Sequence, residues 1–119
     1  MVRWIMRIVM AGSSGLIGSD LSARLISDGH DVTRLVRRPP ASAAEVRWDP
    51  AAGGLDPACL EGADAVINLC GAGIGDRPWT RGRIDELFRS RLDPTRTLTA
   101  AMHHLDAPPK VFILSLIHI

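Results

Sequence analysis

The chain has 119 residues, of which 46% are hydrophobic and 23% charged, with a formal net charge of +1. This composition indicates one globular domain and excludes a disordered or fibrous protein. Arg37 and Arg38 form the only adjacent basic pair, whereas nucleic-acid binding needs a basic stripe. The apolar start is too short to span a bilayer, and Cys59 and Cys70 lack paired spacing, which indicates free thiols. We therefore expect a soluble cytoplasmic protein without nucleic-acid or membrane partners.

Strands and helices alternate along the chain. Short apolar runs predict five buried strands, over residues 6–10, 31–36, 45–48, 65–70 and 111–114. After the first strand, Ile17, Leu21, Leu25 and Ile26 form the apolar face of a helix that ends at Gly29. About nine residues join the second and third strands, fewer than a helical crossover needs, so the sheet is expected to lack one helix.

Further helices are predicted in the second half of the chain. Asp56-Pro57 caps a brief helix that Gly62 closes, and Thr80 caps a longer one. At Asp93-Pro94 a second helix either begins or continues the first with a kink. Because such helices alternate with buried strands, we predict a parallel sheet in an α/β layer fold.

Three glycines, Gly12, Gly15 and Gly18, follow the first strand at steps of three residues. We expect Gly12 to make a tight turn, Gly15 to let a pyrophosphate approach the backbone, and Gly18 to let the helix lie close on the strand. The helix start points free N–H groups at the same place. A glycine-rich turn without a ligand is the alternative, but the flanking strand and helix favour a bound dinucleotide. The residues assigned to it here are Gly12, Ser13, Ser14, Gly15, Leu16, Ile17 and Gly18.

The stretch AGSSGLIG, with its G-x-x-G-x-x-G spacing, resembles the extended short-chain dehydrogenase/reductases, the NAD(P)-dependent epimerase/dehydratase family. DAVINLCGA, residues 64–72, is similar to the ending of strand four in that family. LVRRPP, VRWDP, RPWT and SRLDPTRTL resemble, in order and spacing, an epimerase-like subgroup from bacteria and mitochondria. The resemblance covers about residues 6–113. It implies a Rossmann-like, doubly wound parallel sheet of about five strands that binds a nicotinamide dinucleotide.

The end of the second strand distinguishes NAD from NADP. An NAD site usually places an acidic residue there, to hold the ribose 2′-hydroxyl. Val36 occupies that position, and Arg37 and Arg38 follow it. A guanidinium can bind a 2′-phosphate bidentately, so we predict NADP(H) over NAD(H), with Arg37 the stronger ligand. The alternative is that both arginines only solvate a loop.

Other strand ends add predicted cofactor contacts. Asp49 matches the family position that hydrogen-bonds the adenine amino group, or it only caps the turn with Pro50. Asn68 is expected to tie neighbouring backbones together instead of touching a ligand. The residues expected beneath the ribose and phosphates are Leu69, Cys70, Gly71 and Ala72.

No catalytic residue is predicted in this chain. The resemblance implies a Tyr-x-x-x-Lys pair, in which the tyrosine is the general acid or base and the lysine lowers the tyrosine pKa. The chain has no tyrosine, and its one lysine, Lys110, precedes strand five. His103-His104 at a helix end is expected to complement the helix dipole and not to bind a metal.

These observations predict residues 1–119 to be an NADP-binding domain, incomplete at the C-terminus and inactive alone. The whole enzyme would be epimerase/dehydratase-like or a reductase, acting on a hydroxyl or carbonyl of a small substrate. A non-catalytic NADP-sensing module is the alternative, and a flavin domain is disfavoured by the arginines. Because the ending LSLIHI departs from the family pattern, residues 114–119 are predicted to be a foreign tail. An uncovered strand five predicts poor solubility.

Overall fold

The computed structural model describes residues 5–71 and 80–115. Its strands are β1 (Arg7–Ala11), β2 (Asp31–Val36), β3 (Glu45–Arg47), β4 (Ala65–Asn68) and β5 (Val111–Leu114). Its α-helices are α1 (Leu16–Ser27) and α2 (Arg81–Met102), and a four-residue 3-10 helix spans Pro57–Leu60.

All five strands are parallel and lie in the order β3-β2-β1-β4-β5. The chain moves outward from β1 to β2 and β3, and then returns to add β4 on the other side of β1. The direction of winding therefore reverses between β1 and β4, where loops diverge from the carboxyl ends of the two strands and open a crevice. This order confirms the predicted Rossmann-like, doubly wound parallel sheet.

The link between β2 and β3, residues 37–44, contains no helix, as its length predicted. The two strands pair directly, with Arg34 opposite Glu45 and Val36 opposite Arg47. Because no helix covers this link, side chains from the end of β2 and the start of β3 can meet across a short loop.

Alternate residues of each strand point to opposite faces of the sheet, and each face has its own apolar cluster. The cluster on the α1 face contains Ile8, Met10, Val32 and Ile67, with Leu21 and Leu25 of the helix packed against it. The cluster on the α2 face contains Val9, Ala11, Leu35, Trp48, Leu60, Ala63, Val66, Leu98 and Ala101. The strands are thus buried on both faces, which explains their nearly continuous apolar sequences.

The buried face of α1 differs from the prediction. Ile17 and Ile26 are 66% and 52% exposed, whereas Gly18 and Ser22 are buried. Gly18 lies against the glycine turn, and the neighbouring Ile17 lies outside the packed face. The spacing of large apolar residues therefore predicted the packing of Leu21 and Leu25 correctly, and that of Ile17 and Ile26 wrongly.

Helix α2 is continuous through Asp93-Pro94, so the alternative of a second helix beginning there is wrong. The Thr80 hydroxyl accepts the Arg83 N–H at 3.2 Å, which confirms the predicted cap. Pro94 lacks the N–H that would bond within the helix. Burial of Leu87 and Leu98 on either side of the proline outweighs that loss and keeps the segment helical.

Strand β5 pairs with β4 and lies at one edge of the described sheet. Its Val111, Ile113 and Leu114 are between 38% and 50% exposed. Exposed apolar edges favour intermolecular pairing, so poor solubility stays a prediction of this arrangement. Within residues 5–71 and 80–115, no helix has both the length and the apolar character to cross a membrane.

A matched pair of substitutions on α2 tests the packing. Leu98 is fully buried and Leu92 is 44% exposed on the same helix. We expect Leu98→Ala to lower the free energy of unfolding by about 2–5 kcal/mol because it leaves a cavity under the sheet. Leu92→Ala should cost less than about 1 kcal/mol. Urea unfolding followed by circular dichroism measures both, and equal losses would contradict this packing.

Candidate functional site

The glycine turn after β1 contacts the backbone that follows β4. Gly12 has φ +79°, in the left-handed region, and an added Cβ would lie 2.6 Å from the Leu69 carbonyl carbon and 2.7 Å from the Cys70 nitrogen. Both the conformation and the contact exclude a side chain. Gly12 therefore makes the tight turn that its position predicted.

Gly18 is required for a contact other than the expected one. A Cβ there would lie 2.1 Å from the Gly12 carbonyl oxygen and 2.9 Å from Ser13 Cα. The missing side chain lets helix α1 lie against the turn itself, whereas we had expected it to let the helix lie close on the strand. The geometry thus fixes the first turn of the helix against residues 12–13.

Gly15 has no such structural reason to be glycine. It is the N-cap of α1 with φ −70° and ψ 173°, a conformation open to any residue. An added Cβ would meet only the Gly12 carbonyl oxygen, at an ordinary contact distance of 3.6 Å. No described side chain caps the N–H groups of this helix start. The space beside Gly15 is therefore left open in front of the positive end of the helix.

Two cavities lie along this edge of the sheet and share residues. The first, of about 470 Å³, is here called the turn cavity, and its lining includes Gly12, Ser13, Ser14, Arg37, Arg38, Glu45, Trp48 and Cys70. The second, of about 610 Å³, is called the helix cavity, and its lining includes Arg37, Pro50, Cys70, Gly71, Ser90 and Pro94. Arg37 and Cys70 border both cavities, so the two form adjoining parts of one trough.

The structure separates the two arginines that the sequence placed together. The Arg38 guanidinium donates to both carboxylate oxygens of Glu45, each at 2.8 Å, and to the Pro39 carbonyl oxygen at 3.1 Å. Arg37 is exposed and makes no hydrogen bond or ion pair with the described residues. Both line the turn cavity, but only Arg37 presents an unengaged guanidinium.

Glu45 is a residue of this site that sequence reasoning missed. Its side chain is 4% exposed, and its Oε1 also accepts the Ala41 N–H at 2.7 Å. A second cation, Arg34, lies 3.8 Å from Oε2. The Arg38 and Ala41 hydrogen bonds lower the pKa of the Glu45 carboxyl to about 2, against the opposing effect of burial. The sequence feature that could have indicated this pair is the position of Glu45 at the start of a strand, seven residues after Arg38.

Asn68 holds the backbone that follows β4 and joins it to a side chain of α2, whereas we expect from the sequence that it ties neighbouring backbones together. Its Oδ1 accepts the Cys70 N–H at 3.0 Å and its Nδ2 donates to Thr95 Oγ1 of α2 at 3.2 Å. The first bond turns the chain away from the sheet, so β4 ends at Asn68 and not at Cys70. Burial raises the pKa of the Cys70 thiol to about 11, although the nearby Arg37 charge lowers it. At neutral pH this thiol is therefore protonated.

Gly71 and Asp49, two further predicted cofactor contacts, each lie against another group of the protein. Gly71 lies under the Arg91 guanidinium, which an added Cβ would meet at 2.7 Å. Asp49 caps its own turn, accepting the Ala52 N–H at 3.3 Å, and lines neither cavity. Its contact with adenine stays a prediction. Ala72 lies outside the described residues.

Metal ligation finds no support in the part of the chain that the structure describes. No three His, Cys, Asp or Glu side chains there lie close enough together to hold an ion. Cys59 and Cys70 are both free thiols. The turn cavity offers backbone N–H groups, small residues and guanidinium groups, which suit an anionic ligand, and its carboxylate, Glu45, is paired with Arg38. The helix cavity is also lined by carboxylates, those of Asp85, Glu86 and Asp93.

A parallel sheet with a glycine turn at the point where its winding reverses defines a Rossmann-type α/β domain. The chain belongs to the NAD dependent epimerase/dehydratase family, whose sequence model matches residues 8–116. This match confirms the resemblance indicated by the glycine spacing and the ending of strand four.

Several relatives are similar over most of this chain. Epimerase family protein Mb2239 of Mycobacterium bovis is 47% identical over 95 residues, which are 80% of this chain and 32% of that protein. The crystal structure of human epimerase family protein SDR39U1 with NADPH has a TM-score of 0.75 at 35% identity and covers 92% of this chain and 36% of that chain. A nucleoside-diphosphate sugar epimerase from Corynebacterium glutamicum has a TM-score of 0.73 at 28% identity, covering 93% of this chain and 22% of that chain. This chain therefore spans about a third or less of each of these proteins.

Acid titration tests the environment of Glu45. Because its folded-state pKa of about 2 is below the ordinary 4.5, the carboxylate stabilises the fold above pH 4.5 and loses that effect as the pH falls toward 2. We expect Glu45→Gln to lower the melting temperature at pH 7, with the difference from the native chain narrowing between pH 4.5 and 3. Asp20→Asn, at an exposed carboxylate on α1, is the control and should follow the native chain throughout. A Glu45→Gln difference that stays constant with pH would contradict the assignment.

Proposed function

We propose that this chain binds NADP(H) with the pyrophosphate over the glycine turn. The observation that carries the proposal is Gly15, where the protein's own packing leaves room for a Cβ and yet the residue is glycine. A pyrophosphate lying against the backbone at the start of α1 accounts for the missing side chain. The helix dipole and the N–H groups of the first turn favour negative charge at that point.

The residues around the turn fit the same ligand. Ser13 and Ser14 line the turn cavity, where their hydroxyls can donate to phosphate oxygens, and Leu16 and Ile17 offer backbone N–H groups. The loop after β4, residues 69–71, supplies the small or half-buried surface proposed to lie beneath the ribose. We include Asp49 and Ala72 among the residues proposed to contact the cofactor, and the sequence alone supports these two.

The phosphorylated form of the cofactor is favoured by charge. Arg37 stands at the end of β2 with its guanidinium unengaged by the described residues, where a 2′-phosphate on the ribose would need a cation. The human relative at 35% identity is described with NADPH, which supports the same choice.

A nicotinamide dinucleotide supplies hydride transfer when bound, and this chain's residues would bind and orient it. We propose that the chain is the cofactor-binding part of an epimerase/dehydratase-like or reductase enzyme that acts on a hydroxyl or carbonyl of a small substrate. Family membership supports this class. The 119-residue chain has no tyrosine to serve as the general acid or base that the resemblance implies, so we expect it to bind the cofactor without turning it over. A cytoplasmic location stays a prediction.

A non-catalytic NADP-sensing module is the second candidate, because the glycine turn and Arg37 account for cofactor binding alone. The reading frame beyond residue 119 discriminates between the two. A Tyr-x-x-x-Lys pair encoded there would support the enzyme, and an in-frame stop codon directly after Ile119 would support the sensor.

Gly15→Ala tests the cofactor site with little effect on the fold. Because its Cβ would occupy the space proposed for the pyrophosphate, we expect NADPH to bind about 10-fold more weakly or worse, which corresponds to about 1.4 kcal/mol. Because alanine is a poorer N-cap than glycine, the melting temperature should fall by a few degrees only, with the fold retained. Isothermal titration calorimetry and circular dichroism measure the two properties.

Ser27→Ala is the control, since Ser27 is exposed at the far end of the same helix and lines neither cavity. It should keep both stability and NADPH affinity. Gly12→Ala, in contrast, should destabilise the fold itself. Native NADPH affinity in Gly15→Ala would place the ligand elsewhere.

Cofactor preference is tested on the native chain. If the charge at the end of β2 selects the ligand, NADPH should bind more tightly than NADH, and raising the salt concentration should reduce the difference because it screens the phosphate contact. Equal affinities for the two dinucleotides would refute the preference while leaving dinucleotide binding intact.

A further inference from the structure

The two adjacent arginines after β2 have different electrostatic partners. Arg38 forms a bidentate pair with Glu45 at 2.8 Å to each oxygen, the geometry of a strong guanidinium–carboxylate interaction. Arg37 has no such partner among the described residues, although it borders both the turn cavity and the helix cavity. Glu45 thus pairs with Arg38, while the Arg37 guanidinium stays available to a ligand.

We propose that Glu45 withholds Arg38 from the cofactor, so that Arg37 alone selects the 2′-phosphate and Glu45 sets the strength of that selection. This inference rests on the proposed NADP(H) site. Glu45 and Arg38 are positioning residues in this scheme, and Arg37 is the ligand.

The first argument is the geometry of the loop. Glu45 Oε1 accepts from Arg38 and from the Ala41 N–H, and Arg38 also donates to the Pro39 carbonyl oxygen. These bonds close the loop between β2 and β3 on itself, from Arg38 onward. Arg37 is the residue before this closed segment, so its side chain is directed by the end of β2 and not by the loop.

The second argument is charge. A buried carboxylate in the wall of the turn cavity would repel a phosphate unless cations neutralise it. Arg38 and Arg34, at 2.8 Å and 3.8 Å from Glu45 Oε2, do so. Glu45 therefore neutralises much of the Arg38 charge, whereas Arg37 forms no ion pair with a described carboxylate.

Four variants of the 119-residue chain test the proposal by calorimetric titration with NADPH and with NADH. The readout is the ratio of the two dissociation constants, because loosening the loop would weaken both dinucleotides alike and leave the ratio unchanged. Arg37→Ala should lower the preference for NADPH by about 10-fold or more, as a charged hydrogen bond to the phosphate is lost.

The double variant Arg38→Ala/Glu45→Gln removes both members of the bidentate pair, so that Arg34, 33% exposed and 3.8 Å from Glu45, is the cation that loses its carboxylate. It should melt at a lower temperature but keep the ratio of the NADH and NADPH dissociation constants within about twofold of the native ratio. Glu45→Gln alone frees the Arg38 charge and should raise the preference by about threefold, the size of a half-exposed ion pair. Arg37→Lys, which keeps the charge, should restore part of the preference lost in Arg37→Ala.

Three outcomes would contradict the proposal, and a fourth would contradict the cofactor site on which it rests. If the double variant loses the preference as Arg37→Ala does, Arg38 is itself a ligand and the proposal is wrong. It is also wrong if Arg37→Ala keeps the preference, or if Glu45→Gln fails to raise it. A native chain that binds neither dinucleotide would instead overturn the cofactor site itself, and with it this inference.

Discussion

The site depends on the close approach of the glycine turn to the backbone that leaves β4. The backbone of Gly12 passes so near Leu69 and Cys70 that one added carbon atom would overlap both. This contact exists because β1 and β4 are neighbours, paired from Ile8 and Ala65 to Ala11 and Asn68. It brings the turn, the start of α1 and the loop after β4 to one edge, where the parallel strands end.

Backbone and charge are supplied to this edge by different parts of the fold. Gly12, Gly15 and Gly18 lie within seven consecutive residues but differ in their surroundings. Gly12 has a left-handed conformation, Gly15 borders an open space, and Gly18 lets the helix lie against its own turn. The charges come from the outer strands, where Glu45 at the start of β3 meets guanidiniums from β2 and from the link that follows it. Such a meeting needs a short link without a helix, so the missing crossover helix is part of how the site is built.

Sequence patterns predicted the strands, their order of appearance and the parallel α/β fold, because apolar runs, caps and turn residues are local signals. They failed where packing and side-chain pairing decided the result. The packed face of α1 follows Gly18 and not Ile17, since the helix is pressed on the turn. Helix α2 continues past Pro94 because its apolar residues are buried on the sheet. Of the site, the tight turn at Gly12 was predicted correctly, whereas Glu45 was missed because a glutamate seven residues after an arginine does not by itself indicate an ion pair.

The sequence by itself determined which groups the chain can bring to a ligand: a glycine turn between a strand and a helix, two arginines after the second strand, and no tyrosine. Only the tertiary structure decided what each group is available to do. Of three evenly spaced glycines, two are required by contacts within the protein and one is not. Of two adjacent arginines, one is held by Glu45 and the other is left to the cavity. The reason is physical: composition and spacing record local preferences, while strand register and packing set the distances between side chains, and those distances decide which polar groups pair.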